Sequence, residues 1–191
     1  MKFKKESQIE AFVVGVFISE TPKSLISTSY SGIDISLEGF SGDKHSGFGR
    51  KTDARDTHRY KKGTVVWNSR QWSAVSVEEL QFVREKMDLP ELLPEWLGAN
   101  LCIQGIPAFT QLKPLTQLLF ISKTNEETSL IVYEENFPCI GPARVIESQF
   151  DFKAKVPFVK AAMGKRGLVG WVEKAGRISI GDRVEVWSPQ V

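Results

Sequence analysis

Cysteine is scarce in this chain: only Cys102 and Cys139 occur among 191 residues. Two thiols do not make a disulfide framework, and a reducing compartment is the expected setting. Long hydrophobic runs are missing as well. The longest near the N-terminus, Ala11 to Ile18, has eight residues, far short of the roughly 20 that a membrane-spanning helix needs. The basic start Met1-Lys2-Phe3-Lys4-Lys5 imitates a signal peptide, but Glu6 and Glu10 interrupt it and no small-residue cleavage site follows. A buried first strand and a cytoplasmic location are expected instead, with no membrane partner. Charge of one sign is lacking too, since the net charge is +2, and nothing in it calls for nucleic acid. Repeats, low-complexity tracts and a Pro/Gly-rich linker are absent, so residues 1–191 are expected to form a single domain.

Short β signals dominate what is present. Phe12 to Ile18 is apolar and β-branched, Leu101 and Ile103 alternate with Asn100 and Cys102, and Leu118–Ile121 and Leu130–Tyr133 add two more runs. Near the C-terminus Leu168–Val172, Ile178 with Ile180, and Val184 with Val186 follow one another across glycine turns. Strands this short and regular predict a mainly β fold, a closed or nearly closed antiparallel β-barrel with peripheral helices. Ser76-Val77-Glu78-Glu79 has the form of a capping box opening a helix that ends before Pro90. Pro94-Glu95-Trp96-Leu97-Gly98 predicts one helical turn closed by glycine, with the Leu92, Leu93, Trp96, Leu97 cluster in the core rather than at a dimer surface, and Val156–Met163 a further helix stopped by Gly164.

Cys139 stands in Phe137-Pro138-Cys139-Ile140-Gly141-Pro142, a thiol bracketed by two prolines. Gly141 as cap and Pro142 at the first helical position predict a helix continuing through Ala143 to Ser148. Its positive end and unpaired N–H groups would lie near the sulfur and favour the thiolate. A small, buried, inert thiol is the alternative. Cys102, inside a strand, is expected in the core.

The second informative stretch begins at Gly42-Asp43-Lys44-His45. From Asp43 to Lys62 there are seven Lys/Arg against three Asp, about +4, leaving the rest of the chain near −2. Glycines let backbone N–H groups approach an oxyanion and arginines supply forked donors, so the stretch suits a phosphorylated small molecule. A solvated surface loop is the alternative. Asp43 and His45 could join Cys139 around a metal, or a histidine could pair with Cys139 as in a zinc-binding Cys/His hydrolase, although neither CxxC nor HExxH occurs. Arg166, in Gly164-Lys165-Arg166-Gly167 between helix and strand, can point into a site or lie exposed at a helix end. Asn100, at a strand start, can satisfy local backbone groups.

In order along the chain, these pieces resemble the MOSC domain family, related to the C-terminal part of molybdenum cofactor sulfurases. The matching segments are Gly42-Asp43-Lys44-His45, Arg70 to Ser76, Leu93 to Leu101, Pro138-Cys139-Ile140, Arg166-Gly167 and Gly176 to Val186. The likeness runs from about residue 10 to the end, as in small stand-alone bacterial members. The stretch after Gly42-Asp43 departs from the His-His-Gly-Gly run of some members, leaving His45 and His58 as stand-ins.

The resemblance implies a β-barrel and a cysteine, here Cys139, that carries sulfur as a persulfide or ligates molybdenum in the pterin cofactor, molybdopterin. It further implies Arg50, Arg55 and Arg166 as anion contacts, Asn100 near the pocket, and Asp43 or His45 orienting the loop. The activities it brings are cofactor-dependent reduction of N-hydroxylated small molecules, or sulfur delivery to metal–sulfur cluster or cofactor assembly without turnover of its own. A PLP-dependent cysteine desulfurase is the sulfur donor that goes with the latter.

Overall fold

The apolar run near the N-terminus forms strand β1 (Ala11–Ile18), and six more short runs form β2 (Trp72–Ser76), β3 (Leu101–Gln104), β4 (Gln117–Ile121), β5 (Glu127–Glu135), β6 (Leu168–Lys174) and β7 (Arg183–Gln190). The structure is a computed structural model that describes residues 2–150 and 153–190. Hydrogen bonding runs β1-β7-β4-β5-β6-β2-β3 and returns to β1, which closes the seven strands into a barrel. Closure leaves these strands without a free edge along their paired lengths.

The barrel is antiparallel at every junction but one. Strands β2 and β3 run parallel, with Ala74 opposite Leu101 and Val75 opposite Cys102. A parallel pair needs a crossover connection. Helix α1 (Val77–Lys86) and the 3-10 turn Pro94–Leu97 supply it. Two further helices, α2 (Ile140–Gln149) and α3 (Lys155–Ala162), pack on the same side. No helix among the described residues is long and apolar enough to cross a membrane.

Two-residue periodicity sorts the core into two layers. Leu101 and Ile103 of β3 fill the barrel with Val13, Val16, Trp72, Leu118, Phe120, Leu130 and Val184. Cys102, between them, faces outward into a second layer with Phe17, Val75, Leu80, Trp96, Ile146 and Phe158. Leu92, Trp96 and Leu97 are core as expected, whereas Leu93 is on the surface.

Three local details differ from the sequence expectation. Helix α2 starts at Ile140 with Cys139 itself as N-cap, not at Pro142 with Gly141 as cap. Proline is tolerated throughout the first turn because those N–H groups have no intrahelical acceptor, so the helix extends two residues further back. The capping box at α1 is half formed. Ser76 Oγ accepts the Glu79 N–H at 3.2 Å, but the Glu79 carboxylate turns away to Thr110 N–H and Oγ1. The basic stretch is not a bare loop: Gly49–Lys51 pairs with Val65–Trp67 as an antiparallel ribbon beside the barrel.

Candidate functional site

A cleft of about 480 Å³ opens where β5 ends and β2, β3 and β6 begin. Strand ends set its floor through Trp72, Ser73, Asn100 and Val169, and the basic ribbon forms one wall through Gly49, Arg50, Lys51, Asp53 and Arg55. Cys139 and Pro142, at the start of α2, line the same cleft. Gly98 allows this crowding at the rim. It holds φ +67°, and a Cβ there would meet the Leu25 carbonyl at 2.9 Å.

Cys139 is exposed and its side chain makes no capping bond. The extended N-cap conformation, φ −134° and ψ 176°, turns the chain into α2 at the sulfur-bearing residue. Ile140 and Gly141 supply the free first-turn N–H groups, since Pro142 has none. Cys102, by contrast, is buried, and burial pushes its thiol up to about 12.

Asp43 is buried next to the cleft-lining His45 and Asn100. Its Oδ1 accepts the His45 backbone N–H at 2.8 Å and the His45 ring at 2.9 Å. Its Oδ2 accepts the Ser19 N–H at 2.8 Å and Asn100 Nδ2 at 2.7 Å. Burial by itself raises a carboxyl, but the His45 and Ser19 donors outweigh it and hold Asp43 below the ordinary carboxylate value. An ionised carboxylate only accepts, so His45 Nδ1 carries the proton in this bond and a neutral ring keeps its lone pair on Nε2. Asp43 thus orients His45, which lines the cleft with half of its side chain exposed. His58 is on the exposed part of the ribbon, outside the cleft lining.

Asn100 lines the cleft but its side chain is occupied: Oδ1 accepts the Ser73 N–H at 3.0 Å, and Nδ2 donates to Asp43 and to the Phe17 carbonyl. Its role here is to tie β1, β2 and the Asp43 turn together.

The arginines divide into two kinds. Arg50 gives both Nη atoms to Asp56 at 2.7 Å, and Arg55 gives Nε and Nη2 to Asp53 at 3.0 and 2.5 Å. Both line the cleft, yet each already holds a carboxylate. Asp56 is driven far below the ordinary carboxylate range by the Arg50 fork. Arg166 is different. Nη2 donates to the Leu97 carbonyl at 2.5 Å, Nη1 has no partner, and the residue is only 5% exposed. Burial lowers its guanidinium to about 10, against the opposite pull of Cys139, which still leaves it cationic at neutral pH. Cys139 is thus near enough for a thiolate there to favour the charged form of Arg166.

Sequence reasoning assigned no role to Arg70 and Lys44, which also line the cleft. Arg70 donates to Glu134 and to Asn136 Oδ1, and Lys44 Nζ to the Ser24 carbonyl at 2.6 Å. Arg70 stands just before β2, and only its own lack of an apolar neighbour on either side hinted at a turn. Among the described residues no group of three His, Cys, Asp or Glu side chains gathers to hold a metal, so Cys139 and His45 share a cleft without forming a zinc ligand set.

The MOSC domain model matches residues 54–185. The chain is 39% identical over 178 residues to YuaD of Bacillus subtilis (strain 168), whose name places it provisionally in metal-sulfur cluster biosynthesis, covering 92% of this chain and 90% of that protein. The crystal structure of YuaD superposes with a TM-score of 0.90 at 38% identity, over 99% of this chain and 100% of that one. YiiM from Escherichia coli shares the fold, with a TM-score of 0.60 at 13% identity, over 96% of this chain and 71% of that one.

Proposed function

The chain belongs to the MOSC domain family, and from that premise we propose that it carries sulfane sulfur on Cys139 as a persulfide for metal–sulfur cluster or cofactor assembly. One observation carries the reading: the exposed Cys139 stands at a helix N-cap, in a cleft also lined by a buried arginine with an unpartnered donor. A sulfur carrier needs a reachable thiolate, a neighbouring positive charge for the persulfide anion, and a cleft that limits side reactions with water. Reversible sulfur capping of a thiol is established cysteine chemistry. The name of YuaD agrees in kind.

The transfer balances without an external oxidant. The Cys139 thiolate attacks the outer sulfur of a protein persulfide, such as a PLP-dependent cysteine desulfurase carries; a new S–S bond forms, the donor's S–S bond breaks, and the donor thiolate leaves. Intact-mass spectrometry after incubation with a persulfidated cysteine desulfurase tests it. The expected product is an adduct of about 32 Da that dithiothreitol removes. No adduct on the unmodified chain, or an undiminished adduct on Cys139→Ser, overturns the reading.

The family also brings the molybdenum cofactor, and the donor set here fits it. Cys139 offers one soft thiolate that would ligate its metal. Arg166 Nη1 and Lys44 would meet its phosphate, the first because it is a buried donor with no partner. When bound, the cofactor would supply two-electron redox chemistry at the metal, while this chain holds, orients and neutralises it. Molybdenum content of protein expressed in a cofactor-making host, wild type beside Cys139→Ser, tests this second reading.

A further inference from the structure

Arg166 is held as a built feature, not a loose surface cation. The following residue, Gly167, has φ +91°, donates its N–H to Thr110 Oγ1 at 2.8 Å and accepts the Asn136 N–H at 2.8 Å. A Cβ on Gly167 would stand 1.9 Å from the Ala74 carbonyl, so the backbone carrying Arg166 is pressed against β2. One half of its fork is fixed on the Leu97 carbonyl, and the other half, Nη1, is buried without a partner on a side chain that lines the cleft. A buried guanidinium N–H left without an acceptor is costly unless a ligand completes it.

The charge around it asks for an anion. Of the cations lining the cleft, Arg50, Arg55 and Arg70 each hold a carboxylate. Among the described residues Lys44, Lys51 and Arg166 pair with none, and Lys44 is held instead by the backbone carbonyls of Thr21 and Ser24. A protein persulfide would bring one anionic sulfur to Cys139 but no oxyanion to complete Arg166. A compact donor whose transferable sulfur is joined to an oxyanion fills both positions at once.

Resting on the sulfur-carrier reading above, we propose that the cleft also takes sulfur from thiosulfate-type donors, with the sulfonate oxygens on Arg166 Nη1 and the outer sulfur presented to Cys139. The Cys139 thiolate attacks that outer sulfur. A new S–S bond forms, the donor's S–S bond breaks, and sulfite leaves with the electron pair: Cys139–S⁻ plus S–SO₃²⁻ gives Cys139–S–S⁻ plus SO₃²⁻. The total charge is conserved, and no proton or outside oxidant is required. Arg166 receives charge that grows on the departing sulfite, which is stabilisation where the transition state needs it. Lys44 and Lys51 draw the dianion toward the cleft.

The test uses the full chain with sodium thiosulfate as donor and cyanide as acceptor, reading thiocyanate, sulfite and the mass of the protein. The expected result is one sulfite per Cys139 persulfide formed, and steady turnover that Cys139→Ser abolishes. Arg166→Met lowers kcat/KM for thiosulfate on the order of tenfold to a hundredfold, the range of a hydrogen bond to a charged group, and Arg166→Lys, which keeps the cation, recovers part of it. Because a buried substitution can unfold a chain, competition on the unmodified protein carries the same test: sulfate raises the KM for thiosulfate and leaves kcat unchanged. A chain that accepts sulfur from the protein persulfide but forms no adduct with thiosulfate overturns this inference alone. Turnover that sulfate does not compete with overturns the assignment of Arg166. Failure with both donors removes the sulfur-carrier reading as well.

Discussion

Cys102 lies on the outer face of β3, closed in by Phe17, Val75 and the residues of α1, α2 and α3, whereas Cys139 stands at the N-cap of α2 on the wall of an open cationic cleft. The two regions are neighbours, since α2 packs on the same apolar layer that encloses Cys102. Their chemistry diverges because strand periodicity buries one sulfur and a helix start presents the other. Burial raises the Cys102 thiol to about 12, so at pH 8 only about one part in ten thousand is thiolate. The layer thus confers stability and the cleft confers reactivity, and each cysteine reports on one of them.

Exchange of the two thiols one at a time is the sharpest way to break this comparison. Cys139→Ser is expected to abolish persulfide formation from any donor. Cys102→Ala is expected to retain it and to cost about 1 kcal/mol of stability, the loss of one small buried group. Mass spectrometry of the two variants beside thermal unfolding reads both effects. If Cys102→Ala lost sulfur loading while remaining folded, the division into an inert layer and a reactive cleft would be wrong.

Native-state alkylation sharpens the same contrast by orders of magnitude. At pH 8 iodoacetamide is expected to modify Cys139 and leave Cys102 untouched until the chain unfolds, because enclosure and a raised pKa both protect it. Peptide mapping over a denaturant series shows which sulfur reacts and when. Simultaneous labelling of both in the absence of denaturant would mean that the layer under α2 opens locally.

The contrast also marks what the sequence made legible. Alternation revealed the barrel strands, the place of Cys102 within one of them pointed to the core, and the prolines flanking Cys139 signalled a helix start. The parallel β2–β3 pair was hidden, because period-two patterning is the same for either strand direction. The ribbon wall was hidden too: its strands are Gly-Arg-Lys and Val-Val-Trp, with no apolar face turned to a core. For Arg50 and Arg55, composition counted positive charge but not its availability. Asp56 and Asp53 neutralise them at close range in sequence. The distinct status of Arg166 depends on the Leu97 carbonyl, 69 residues away, a long-range fact that no local pattern encodes.

Asp43 is the joint between the two regions, since it bonds His45 in the cleft and Asn100 at the entrance to β3. Asp43→Asn puts an amide donor against donors and is expected to cost about 3 kcal/mol, a fall in the unfolding midpoint of roughly 6–12 °C for a chain of this size. The pH dependence has a definite sign. The folded carboxyl lies below its ordinary value of 3.8, so its stabilisation is complete above that value and is lost as pH falls through the lower folded one. Thermal melts of wild type and Asp43→Asn should therefore differ most at neutral pH and converge in acid. Curves that stay parallel to low pH would show that Asp43 does not carry its charge in the folded state.

The smallest effect concerns the two ion pairs of the ribbon wall, and it tests whether the cleft's rim is itself rigid. Arg50–Asp56 has side chains 20% and 15% exposed, is bidentate, and its carboxylate also accepts the Asp53 N–H at 3.0 Å. Arg55–Asp53 is 60% and 43% exposed. Long exposed side chains lose rotamer entropy on pairing and are screened by water and salt, so the second pair should couple by less than about 0.5 kcal/mol, and the first by about 1 kcal/mol. Double-mutant cycles with Arg50→Met and Asp56→Ala, and with Arg55→Met and Asp53→Ala, measure the two couplings in stability. Raising ionic strength should shrink the Arg55–Asp53 term and leave most of the Arg50–Asp56 term. Equal couplings would mean that exposure does not separate the pairs, and that the ribbon wall is held by charge along its whole length.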